Sequence, residues 1–163
     1  MTALRSWKKF VVVAALACAM FGATLGRSDA FLDKTRFATH LGIAFFSFHH
    51  WVMKPYQQGA FATGAPHRIS TMVKGGAALL FAVHEVKVAQ KIAHTSNDPL
   101  LHKLEGNLGG LTATLATVGA GLKAGHFNPA DLTGLSKQTD SVGEESAADG
   151  VPVKDVPAAI PGV

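Results

Sequence analysis

Residues Glu105–Gly125 read EGNLGGLTATLATVGAGLKAG. Together with the preceding leucine, Leu104, Leu108, Leu111, Leu115, Val118 and Leu122 follow the 4-3-4-3-4 interval of a coiled-coil seam. The same stretch carries Gly106, Gly109, Gly110, Gly119 and Gly121, each of which costs roughly 1 kcal/mol against alanine inside a helix. The spacing predicts a helix from Pro99 to about Lys123 whose glycines must be offset by packing. On the side opposite the leucines lie Gly106, Gly109, Gly110, Ala113, Ala116, Thr117 and Ala120. A strip of small residues lets another backbone approach closely and recover dispersion contacts over many atom pairs. It is also common between membrane helices. A bulky residue at Gly110 is therefore expected to cost helicity.

Immediately upstream, Asn97, Asp98 and Pro99 supply a turn, a cap and a first-turn proline. Before them a helix is expected from Arg68 to about Thr95, bulky on one side and small on another, at Gly75, Ala78, Ala82, Ala89 and Ala93. The short turn makes the two helices antiparallel neighbours, with the strip at Gly106, Gly109, Gly110 and Ala113 meeting Ala78 and Ala82. Upstream again, KPYQQGAFATGAPH reads as a loop, and DKTRFATHLGIAFFSFHHWVM as a helix apolar nearly all round. All three segments hold uncharged runs at the short edge of a bilayer span. Glu85, Lys87 and Lys91 argue against the second one crossing.

The charges divide near His126. From Phe31 to His126 there are nine Lys or Arg and four acids, net +5; from Phe127 onward two Lys and six acids, net −4. The acidic part holds four of the seven prolines and few bulky apolar groups, too few to offset the entropy of ordering. The expected architecture is thus all-α: a three-helix core with a long antiparallel hairpin over 31–126, and a disordered acidic tail over 127–163.

The first thirty residues have the layout of a secretory signal. Arg5, Lys8 and Lys9 precede an uncharged run from Phe10 to Gly26, and the small residues Ser28 and Ala30 suit cleavage after Ala30. Cleavage after Gly26 is the second choice, and an uncleaved anchor the alternative. Cys18, the only cysteine, lies inside the apolar run, so the mature chain would use neither disulfides nor thiolate chemistry.

Catalytic motifs are missing: His84-Glu85 has no histidine four residues after His84, GGAALLFA lacks the phosphate-loop lysine, and no nucleophile elbow occurs. Scattered lysines without interleaved aromatics exclude nucleic acid. The expectation is an exported, non-catalytic structural or interaction module without a cofactor. Its apolar helix faces, above all the aromatic first helix, would dock on a protein partner, on another copy or at a membrane surface. The alternative is a haem or divalent-metal module, with His84 opposite Gly109 and Gly110 and His49 or His50 as second ligand. His94 and His102, at either end of one turn, form a further candidate metal contact.

Overall fold

The computed structural model describes residues 29–163. The expectations concerning the signal segment and Cys18 lie outside the described residues. Four helices pack together, and no strand occurs among the described residues. Helix α1 covers 29–48, widens into a π-turn at His49–Met53 and closes with one α turn, Lys54–Gln57. Pro55 follows the π-turn without an N–H, so it cannot donate to the Trp51 carbonyl. Helix α2 is Arg68–Thr95, α3 is Pro99–Lys123 and α4 is Pro129–Ala148.

The α2–α3 turn is built as its residues dictate. The Asp98 side chain accepts from the Leu100 N–H at 2.9 Å, the Asp98 N–H donates to Ser96 Oγ at 3.2 Å, and Pro99 opens the helix. At one end of this pair Gly76 lies against Gly119 and Lys123; at the other His94 meets Glu105.

The glycine strip does not sit where expected. Leu104, Leu108, Leu111, Leu115, Val118 and Leu122 are all buried, whereas Gly106, Gly109, Gly110 and Ala113 are exposed. A Cβ at any of those three glycines would meet nothing within 4 Å. Relative magnitudes explain the correction. Burying a Leu or Val contributes about 1.5–3 kcal/mol per side chain, so turning the leucine seam inward outweighs the propensity cost of the glycines on the outside. Close approach happens instead at Gly76 and Gly119: a Cβ on Gly76 would lie 2.5 Å from the Lys123 nitrogen and 2.6 Å from the Gly119 oxygen. The small strip of α2 is buried, Ala78 and Ala82 included, and its Gly75 approaches the Trp51 carbonyl and Val52 of α1.

The expected disordered tail is also corrected. Residues 129–148 form α4, capped by the Asn128 side chain, which accepts from the Ala130 N–H at 3.1 Å, with Pro129 in the first turn. Leu132, Leu135, Thr139, Val142 and Ser146 are buried at alternating three- and four-residue intervals. This stripe is narrow but continuous, enough to seat α4 on α3 and, through Gly143, against Phe45 of α1. Beyond Gly150, residues 151–160 lack regular secondary structure, as expected, yet they form a strap along α1. Val151 and Ile160 are buried, and the Val156 N–H donates to the Gly42 carbonyl at 3.0 Å. Any Cβ at Gly42 would overlap the Lys154 carbonyl, so the strap fits only because that residue is glycine. Thus the core holds four helices rather than three, closed by the strap.

Candidate functional site

Histidine was the residue type with most chemical promise, and the fold distributes it along the bundle. His84 is exposed; its neighbour Glu85 points inward instead, 7% exposed, where it meets His40 Nδ1 of α1 at 2.7 Å. The two are consecutive, so a rotation of about 100° separates them on the helix, and the small residues around Ala82 and Ala89 bring α1 close enough for His40 to cover the carboxylate. A buried carboxylate without such a partner would be strongly disfavoured.

His49 and His50 do not come to His84. His40 lies level with Glu85, while Trp51 and Val52 lie level with Gly75. His49 therefore sits about 14 Å further along the bundle than His84, at 1.5 Å per helical residue, and the proposed haem pair is not assembled. His49 Nδ1 bonds the Asp155 carboxylate of the strap at 2.9 and 3.0 Å. His50 is exposed, stacked on Phe46 at 4.9 Å between ring centroids and edge-on to Trp51. Gly109 and Gly110 face outward on α3, so they do not open a slot opposite His84.

His94 and His102 do converge, on Glu105. His94 Nδ1 is 3.1 Å from one carboxylate oxygen and His102 Nδ1 is 4.0 Å from the other. The arrangement is a surface polar cluster around one carboxylate. Among the described residues, no group of three or more His, Cys, Asp or Glu is placed to hold a metal ion.

Lys34 completes the ties between elements, reaching Asp98 at 2.9 Å. Burial pushes the Asp98 carboxyl up, but hydrogen bonds from Lys34 and the Leu100 and Leu101 N–H groups, with the Lys34 charge, outweigh it and hold the group below its ordinary value. Lys103 bonds Asp149 at 3.1 Å, and Asn107 bonds Glu145, fastening α4 to α3. Carboxylates and cations are thereby used in pairs that join one element to the next.

Several large apolar side chains stay outside the core. Phe31 and Leu32 at the start of α1 are 69% and 55% exposed, and Ile69 and Val73 near the start of α2 are 55% and 36% exposed. The first pair adjoins the α2–α3 turn, since Lys34 reaches Asp98; the second adjoins the end of α3, since a Cβ on Gly125 would lie 3.7 Å from Ile69 Cδ1. They occupy opposite ends of the bundle. Beside Phe31 an open groove of about 360 Å³ runs between α1 and the strap, over Thr35, Ala38, Val151 and Val156 with Lys34 and Lys154 at its edge. In contrast Phe37, Phe45 and Phe48 of the aromatic first helix are buried in the core. Sequence reasoning missed Glu85, His40 and the strap. The signal for Glu85 was positional: it falls in register with Ala78, Ala82 and Ala89 on the face that α1 covers.

No protein-family model, curated protein or solved structure matches the chain.

Proposed function

We propose that this chain is an exported, non-catalytic interaction module of the cell envelope, built on an antiparallel α2–α3 hairpin and attaching through the apolar groups it leaves outside its core. The observation that carries this reading is the exposure of Phe31, Leu32, Ile69 and Val73, when the other large apolar side chains among the described residues are buried or half-buried. Contiguous exposed apolar patches mark interaction sites, and Phe31 with Leu32, and Ile69 with Val73, each place two large apolar side chains side by side. The basic, apolar first thirty residues support export. The pairing of Glu85, Asp98, Glu105 and Asp149 with neighbouring elements supports a structural use of the carboxylates.

Fractionation of the producing cell tests this. The full chain should be recovered with the envelope, beginning near Phe31, and a variant with Phe31, Leu32, Ile69 and Val73 all changed to Ser should shift to the soluble fraction with an unchanged circular dichroism spectrum. Equal recovery of both proteins in the soluble fraction would overturn the reading.

A further inference from the structure

Helix α2 has one face that stays exposed or only half-buried, and its chemistry is one-sided. At about 100° per residue, Val73, Ala77, Leu80, His84, Val88 and Lys91 share roughly a quarter of the helix circumference, and all are exposed or half-buried. Ile69 and Lys87 border one edge of that arc, Phe81 and Lys74 the other. The charges of α2 are Arg68, Lys74, Lys87, Lys91 and Glu85. Glu85 is turned inward on His40, so every exposed charge on this helix is a cation.

The acidic counterpart lies elsewhere. Helix α4 carries Asp131, Asp140, Glu144 and Glu145 against Lys137, and it packs on α3 and against Phe45 of α1 rather than on α2. The folded chain thus separates a cationic apolar flank from an anionic polar one. We propose that the α2 flank is a docking surface for an anionic lipid bilayer, with α2 lying along the surface and the lysines at phosphate level. This deepens the reading of the chain as an envelope interaction module and rests on it.

Two observations favour a lipid surface over a second copy. The complementary charge within the chain is on α4, yet its large apolar residues, Leu132, Leu135 and Val142, are all buried. It offers nothing for Ile69, Val73 or Phe81 to contact, whereas a bilayer surface supplies phosphate and acyl chain side by side. In addition, α2 is the described helix whose length and composition reach those of a membrane span. Lys87 and Lys91 on its outer side, and an inner side buried against α1 and α3, suit it to lie on a surface rather than to cross.

The test uses the full chain with Cys18→Ser, labelled with a polarity-sensitive fluorophore at Val73→Cys on α2 or, in a separate protein, at Lys137→Cys on α4. Phosphatidylcholine vesicles are added with or without a third of phosphatidylglycerol. The label at position 73 should shift to the blue only with the anionic vesicles, and the label at 137 should not shift. Lys87→Glu with Lys91→Glu should lower the vesicle-bound fraction at least about tenfold, and high salt should do the same. Because the first thirty residues are common to all these proteins, the differences report on α2 alone. Equal binding to neutral vesicles, indifference to the charge reversal, or no shift at position 73 would each overturn the assignment. So would a shift at 73 that grows with protein concentration without vesicles and accompanies a dimer in light scattering, which would make the occupant a second copy. If envelope retention persists without vesicle binding, only the lipid assignment falls; if both are lost, the interaction-module reading falls with it.

Discussion

The two sides of α3 carry the same residue type with opposite consequences. On the inner side Gly119 meets Gly76, and neither tolerates a Cβ without displacing backbone or neighbouring side chains; on the outer side Gly106, Gly109 and Gly110 border open space. Glycine is a packing device only where a second backbone arrives. Elsewhere it is a propensity cost carried by the leucines across the helix. The lesson is that a small-residue strip becomes an interface only when no bulkier stripe on the same helix competes for burial.

The contrast is broken most directly at Gly76. Gly76→Leu would drive a side chain into the Lys123 and Gly119 backbone, with an expected loss of about 3 kcal/mol and a fall in Tm of about 10 °C for a chain of this length. A thermal melt within a few degrees of wild type would mean that α2 and α3 are not in contact there. The outer strip should answer in the other sense. Gly109→Ala with Gly110→Ala should raise stability by about 1.5 kcal/mol, since helix propensity improves and nothing is displaced. A loss in denaturant titration would show a partner backbone on that face after all.

The smallest effect concerns the polar tie at the turn between the same two helices. The Asp98 carboxyl is held below its unfolded value, so its contribution is present above the unfolded value of 3.8 and fades as pH falls through the folded one. Lys34→Met should therefore lower stability by about 0.5 kcal/mol at neutral pH. The gap from wild type should close as pH falls through the lowered folded value, below which the carboxyl is protonated in both proteins. A gap independent of pH would assign the effect to the lysine's methylene packing.

Much of this architecture was legible. Asp98-Pro99 announces the start of α3, and the leucine spacing identifies the buried side of that helix. Asn128-Pro129 carries the same cap-and-proline signal for α4. It was overridden by the composition that follows, where Leu132, Leu135 and Val142 are the only bulky members of a stripe otherwise made of Thr139 and Ser146. Average polarity hides a narrow stripe, whereas a cap is local and survives it. Pairing between stripes was not legible, because α3 offers two and periodicity alone does not rank them; burial energies do. The histidines failed for a related reason. Sequence places residues around a helix axis but not at a level along a neighbouring helix, so His84 and His49 could be imagined together until the contacts of His40 with Glu85 and of Trp51 with Gly75 set the register.

The strap brings residues far apart in the chain into contact. His49 and Asp155 are separated by 106 positions, and the seat at Gly42 is filled by Lys154 and Val156. A chain synthesised or threaded lengthwise meets this contact later than the α2–α3 contacts, and loop closure over such a span is slow compared with pairing between adjacent helices. The pair of α2 and α3 can therefore collapse early, while α1 keeps an uncovered side until the strap emerges. A chain delivered N-terminus first through a narrow channel would stay open at that side until the strap had passed.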